Sequence, residues 1–123
     1  MSFFIEKIDH IQVAAPKNSE QAAINFYGNI LGMVKVDKPV SLQGRGGVWF
    51  EFGGYQLHVG IEEPFIPAKK AHPAFGVSGF ELMQEHLAAN GVEVKNDGSI
   101  PGVERFFISD PFGNRLEFLK NSL

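Results

Sequence analysis

Ile8, His10 and Gln12 interleave with Asp9, Ile11 and Val13 until Pro16 closes the run. Alternation with β-branched residues predicts a strand buried on at least one face, and proline, which has no N–H to give, ends it. The period then changes. From Glu20, with Asn18 or Ser19 placed to cap, Ala22, Ala23, Phe26, Tyr27, Ile30 and Leu31 recur at three- and four-residue steps. That stripe predicts an amphipathic helix, which Gly32 is placed to stop, and Met33-Val34-Lys35-Val36 reads as the next strand.

Arg45-Gly46-Gly47 then reads as a flexible loop ahead of two alternating runs, residues 48–52 and 55–61, separated by Gly53-Gly54. Two glycines between alternating runs predict a hairpin, because the favoured two-residue turns need positive φ. The register follows: 52 pairs with 55, 51 with 56 and 49 with 58. Val48, Phe50, Phe52, Tyr55, Leu57 and Val59 then share one apolar face, while Trp49, Glu51, Gln56 and His58 share the other. A face carrying a carboxyl, an amide and an imidazole beside the single tryptophan is either wet or a site.

Residues 62–70, with Pro64 and Pro67, read as a linker. Beyond it the plan restarts: a strand over residues 72–77, a helix over 80–90 followed by Gly91, a strand over 92–95, and a final hairpin. In that hairpin residues 105–108 and 115–119 flank the turn-rich Ser109-Asp110-Pro111-Phe112-Gly113-Asn114. Simple offsets relate the halves: Gly32 plus 59 is Gly91, His58 plus 59 is Glu117, and His10 plus 62 is His72. An internal duplication of a βαβββ unit is the economical explanation. The expected architecture is a single α+β domain over residues 1–123, with module 1 over about 5–61 and module 2 over about 71–120.

Composition narrows the chemistry. One hundred and twenty-three residues at 44% hydrophobic, with 12 phenylalanines, suffice for one domain with its own core. Eleven Lys and Arg against 14 Asp and Glu give a net charge of -3, which argues against nucleic acid as a partner. No run approaches the roughly 18 apolar residues of a membrane span. Glu6, Lys7 and Asp9 interrupt the apolar start too early for a signal segment, so a cytoplasmic location is expected. With no cysteine, only His, Asp and Glu remain as metal ligands.

His10, His58, His72 and Glu117 occupy the first and last strands of the two modules. If a pseudo-twofold relates the modules, these four ligand-type residues converge, and strands hold such donors without long-loop entropy. Glu117, between Leu116 and Phe118, is the most telling, because a buried carboxylate needs a partner. An outward ion pair with Arg115 or Lys120 is the alternative for it. His86, on the second helix, has no counterpart in the first module and reads as a solvent-flank histidine. An anionic substrate beside a metal calls for a guanidinium, for which Arg45, Arg105 and Arg115 are candidates. Arg115 shares a face with Glu117, and Arg105 shares one with Phe107. Arg115, Arg105, Trp49, Gln56 and Phe107 are the candidate substrate contacts.

Nearly the whole chain resembles the vicinal oxygen chelate superfamily, which includes glyoxalase I, fosfomycin-resistance proteins, extradiol dioxygenases and bleomycin-resistance proteins. The resemblance rests on Asp9-His10, Phe26-Tyr27 through Leu31-Gly32, Leu57-His58-Val59-Gly60, Ala71-His72-Pro73-Ala74-Phe75 and, above all, Asp110-Pro111-Phe112-Gly113-Asn114-Arg115-Leu116-Glu117-Phe118. It implies paired βαβββ modules forming a cupped, barrel-like mixed sheet around one divalent metal (Zn, Ni, Co, Mn or Fe(II)). His10, His72 and Glu117 match the metal set, and His58 stands where glyoxalase I has a glutamate. That departure puts standard glyoxalase I activity in doubt and leaves His58 as fourth ligand or general base, with Glu51 as a spare base. Glu117 and His58 are thus the candidate catalytic groups.

The implied function is a glyoxalase-like metal-dependent enzyme acting on a small oxygen-chelating substrate. Lyase or isomerase chemistry is favoured over dioxygenase chemistry, since extradiol enzymes generally use longer chains. The alternative is a non-catalytic, bleomycin-resistance-like binder of a small molecule or antibiotic. A homodimer is expected, with modules paired within one chain or swapped between two.

Overall fold

The computed structural model describes residues 2–121. The chain divides into two compact units, Met1–Glu63 and Pro64–Leu123. Each is a βαβββ unit with one four-stranded mixed sheet, so the fold class is α+β and the duplication is visible in the topology.

In the first unit the strands are β1 (His10–Ala15), β2 (Val34–Val36), β3 (Val48–Phe52) and β4 (Tyr55–Ile61), in sheet order β1-β4-β3-β2. β1 runs parallel to β4, and the other pairs are antiparallel. The Gly53-Gly54 hairpin has the expected register, with Phe52 opposite Tyr55 and Trp49 opposite His58. Both glycines have positive φ, +50° and +82°, as a two-residue turn matched to the strand twist requires. One face of the hairpin makes the core: Val48, Phe50, Leu57 and Val59 are buried, with Tyr27 and Phe26 from the helix packed edge to face against one another and Tyr27 tilted on Phe50.

The helix is α only over α1 (Glu20–Ala23) and continues with π-type bonding over Ile24–Ile30, where the Leu31 N–H reaches the Phe26 carbonyl. It ends at Gly32, whose φ of +78° is the left-handed conformation that closes a helix. Ser19 sits at the start, but its hydroxyl donates to the Pro16 carbonyl and caps no helical N–H. β1 begins at His10, two residues later than alternation suggests, because His10 already pairs with Gln56 and β4 offers only Tyr55 before the turn.

The stretch before β3 is more ordered than its glycines imply. Val40–Arg45 forms a 3₁₀ helix, and the Gly47 N–H donates to Glu20 Oε2 at 2.8 Å. Gly47, at φ +87°, passes so close to β4 that a Cβ would lie 2.3 Å from the Val59 carbonyl oxygen. The Gly47 bond holds the Glu20 carboxyl below its usual pKa. Such a group contributes stability above its unfolded pKa and loses it as pH falls through the folded one. Glu20→Gln should therefore cost about 1 kcal/mol at neutral pH. In urea titrations across pH, that gap should close in the acid limb, and a gap independent of pH would contradict the account.

The second unit repeats the order with β5 (Ala74–Val77), α2 (Phe80–Ala89), β6 (Lys95–Asp97), β7 (Arg105–Ser109) and β8 (Arg115–Lys120), in sheet order β5-β8-β7-β6. Its core stacks Phe75 on Phe118 and Phe118 on Phe106, with Phe80 tilted against Phe106 and Ile108, Leu116 and Leu87 buried beside them. α2 also ends on a left-handed glycine, Gly91 at φ +75°. The next N–H, of Val92, is taken by the Leu87 carbonyl, which is why β6 starts at Lys95 rather than at Val92. β5 begins after Pro73, whose carbonyl accepts the Glu117 N–H, so His72 stands just ahead of its strand. Among the described residues no helix is long and apolar enough to cross a membrane.

Candidate functional site

In the first unit the non-core face of the β3–β4 hairpin carries a stack of three rings. His58 lies flat on its cross-strand partner Trp49, with centroids 3.7 Å apart and planes within 1°. His10, from the neighbouring β1, stacks against His58 with centroids 4.2 Å apart. The parallel pairing puts His10 beside Gln56 and Gln12 beside His58, so the two imidazoles meet through strand register alone.

Their ring nitrogens are used differently. His10 Nδ1 faces Asp9 Oδ1 at 2.9 Å; the carboxylate can only accept, so Nδ1 carries the proton and Nε2 is the donor atom left over. That bond is also the main reason the Asp9 carboxyl sits below its usual pKa. His58 instead bonds Gln56 Oε1 through Nε2 at 2.8 Å, which leaves Nδ1. Burial, and after it the adjacent His10, push the His58 pKa down. Glu51 is on the same face, opposite Gln56, and is exposed. Arg45, at the end of the 3₁₀ helix, is exposed as well.

In the second unit the equivalent hairpin places Phe107 opposite Glu117, as Trp49 is opposite His58. Glu117 is 6% exposed, and both of its oxygens are engaged. Oε1 accepts from His72 Nε2 at 2.7 Å, and Oε2 accepts from Arg105 Nη1 at 3.1 Å. Burial raises its pKa, but the His72 and Arg105 bonds outweigh burial and hold the carboxyl below its usual value. His72 Nδ1 donates to the Lys70 carbonyl at 2.8 Å. A carbonyl acceptor on Nδ1 is the arrangement that orients a metal-ligating histidine, and a metal at Nε2 would take the place of the proton that Nε2 gives to Glu117.

Phe107 is the floor of this cluster. Arg115 stacks over its ring at 4.0 Å, Arg105 lies over it at 5.2 Å, and His72 meets it edge on at 5.5 Å. Arg105 is occupied by acceptors, since besides Glu117 it reaches Asp97 Oδ2 at 3.4 Å and Ser99 Oγ at 3.2 Å. Among the described residues Arg115 makes no such ion pair; its guanidinium contacts the Phe107 ring.

The sequence-derived candidates thus fall into two groups: His10, His58, Trp49 and Gln56 in the first unit, and His72, Glu117, Arg105, Arg115 and Phe107 in the second. Among the described residues, no three His, Asp or Glu side chains stand together as a group able to hold a metal ion. The donor types nevertheless suit one. Imidazole Nε2 atoms with capped Nδ1, and a carboxylate oxygen beside one of them, are the N/O set that borderline divalent ions accept. Sequence reading missed three participants: Asp97 and Ser99 behind Arg105, and the Lys70 carbonyl behind His72. Arg105 itself was visible as a charge, but its bond to Glu117 becomes legible only once Phe107 is known to face Glu117.

The fold and the family are shared with known proteins. The chain is 48% identical to a structure assigned to the glyoxalase family from Bacillus anthracis, with a TM-score of 0.95 over 99% of this chain and 100% of that one. Glyoxylase I 4 of Arabidopsis thaliana is 26% identical over 124 residues, covering 92% of this chain and 70% of the relative. A fosfomycin-resistance protein from Listeria monocytogenes, crystallised with Mn(II) and a dihydroxypropylphosphonic acid, shares the fold at a TM-score of 0.78 and 19% identity, over 98% of this chain and 95% of that one. Residues 7–118, from ahead of β1 to the middle of β8, match a single family description, and on that match the chain belongs to the Glyoxalase/Bleomycin resistance protein/Dioxygenase superfamily.

Proposed function

We propose that the protein is a glyoxalase-like enzyme that uses one divalent metal, held by His10, His72 and Glu117, to act on a small oxygen-chelating substrate by lyase or isomerase chemistry. The two modules act as one domain in this reading, and the working form is a homodimer in the cytoplasm. The observation that carries it is the His72–Glu117 pair: a buried carboxylate on β8 and an imidazole just ahead of β5 bring a ring nitrogen and a carboxylate oxygen within 2.7 Å of one another, while the Lys70 carbonyl secures the far ring nitrogen. The Mn(II) and phosphonate in the Listeria relative support a divalent ion and an oxyanionic ligand.

A bound divalent ion would supply stabilisation of the negative charge that develops on substrate oxygens. The remaining roles belong to side chains. Glu117, held ionised, can receive a substrate proton. His58, with a depressed pKa, Nε2 bonded to Gln56 and its ring fixed on Trp49, is the second base or a further ligand. Arg115, held over the Phe107 ring and outside the ion pairs that engage Arg105, is suited to an anionic substituent.

Elemental analysis of protein purified without a metal-affinity tag tests this. About one divalent metal per chain is expected for a site of this kind, lost in both His10→Ala and Glu117→Ala. Wild-type protein that is metal-free and refuses Ni(II), Zn(II), Mn(II) and Fe(II) would overturn the reading in favour of a metal-independent binder of small molecules.

A further inference from the structure

We infer that Arg105 is a positioning residue for Glu117: it immobilises Oε2 so that the carboxylate presents Oε1 alone to whatever it serves. The inference rests on the proposed role of Glu117 but concerns a residue that role does not explain. Arg105 and Phe107 lie on one face of β7, and Phe107 is the cross-strand partner of Glu117, so the guanidinium reaches Glu117 diagonally across the hairpin. Nη1 takes Glu117 Oε2 at 3.1 Å, while Nη2 is held from behind by Asp97, its own cross-strand partner on β6, and by Ser99. The Phe107 ring lies 5.2 Å beneath the guanidinium carbon. The group is therefore fixed on three sides and is only 17% exposed.

One feature sets this apart from an ordinary ion pair. Arg105 Nε is buried and, among the described residues, has no hydrogen-bond partner. A guanidinium settling for its own benefit would satisfy that N–H, because an unmet buried donor is costly. This one is placed instead so that Nη1 meets Oε2, while His72 Nε2 meets the other oxygen. With Oε2 committed, Glu117 cannot chelate through both oxygens, and its rotamer is set before any ligand arrives. Arg105 is thereby assigned inward, to the carboxylate, and Arg115 is left to face substrate.

The test measures Mn(II) and Zn(II) affinity by calorimetry for wild type, Arg105→Ala and Arg105→Lys, with crystal structures of the variants. Loss of an outer partner that orients a ligand typically weakens metal binding roughly 10- to 100-fold. That loss is expected for Arg105→Ala, with a smaller one for Arg105→Lys, which keeps the charge but not the fork. Thermal unfolding separates this from simple destabilisation: the loss of metal affinity should appear in Arg105→Ala at temperatures where that variant is still fully folded. Wild-type affinity in both Arg105 variants would overturn the inference. If wild type itself binds neither metal, the metal reading fails and the crystal structures decide. Glu117 turned away from His72, or in several rotamers, supports positioning; Glu117 unmoved refutes it.

Discussion

Glu117→Ala is expected to destabilise the metal-free protein by about 3 kcal/mol. The sign is the interesting part, because acidic residues in functional sites are often kept at a cost to stability and their removal is often a gain. Here the carboxylate is 6% exposed and bonded at both oxygens, and its truncation strands two donors at once, His72 Nε2 and Arg105 Nη1. Leaving one half of a buried charge pair costs about 3–5 kcal/mol. The lower end applies because Arg105 keeps Asp97 and Ser99. Urea unfolding in the presence of a chelator gives the number without the added stability that metal would confer on wild type. Combining Glu117→Ala with Arg105→Ala should recover part of the loss, giving a coupling of about 2 kcal/mol. Strict additivity would mean that the two side chains stand close without depending on one another.

The same pair shows where sequence reading stopped. The first hairpin was legible down to its register because a two-residue Gly-Gly turn allows only one pairing of 52 with 55, and from that Trp49 opposite His58 follows. The second hairpin turns through a longer segment, so alternation could sort Arg115 with Glu117 and Arg105 with Phe107 without saying which pair faced which. Strand starts were misjudged where backbone groups had been claimed elsewhere, as with the Val92 N–H that closes α2. The π-type stretch over Ile24–Ile30 left no trace in the sequence, since the apolar stripe serves either bonding pattern at that length. The candidate residues themselves were found through the offsets between modules. What their identities could not convey is which ring nitrogen of His10, His72 and His58 is held by Asp9, Lys70 and Gln56 in turn, a matter of those partners rather than of the histidines.

Asp110→Ala should cost about 3 kcal/mol, and through the turn it should loosen Glu117 and Arg105 without touching either. Asp110 is 5% exposed, and its Oδ1 accepts the N–H groups of Phe112 at 2.9 Å and Asn114 at 2.8 Å. Its Oδ2 accepts Asn114 Nδ2 at 2.8 Å, and its backbone N–H donates to the Asn114 carbonyl at 2.9 Å. One side chain thus closes the loop that joins β7 to β8. Gly113 completes it at φ +93°, where a Cβ would also press on Pro67. Alanine removes the acceptors and leaves buried donors behind, whereas Asp110→Asn keeps an acceptor and should lose about half as much. The functional consequence comes from strand geometry. A one-residue slip between β7 and β8 sends alternate side chains to the opposite face, so the turn that fixes Phe107 opposite Glu117 also keeps the carboxylate beside Arg105. Hydrogen exchange should therefore quicken at the amides of Phe107 and Glu117 in Asp110→Ala while those of the β3–β4 hairpin hold their wild-type rates. Unchanged exchange in β7 and β8, together with a loss below about 0.5 kcal/mol, the scale of an ordinary surface substitution, would place the register in strand packing alone.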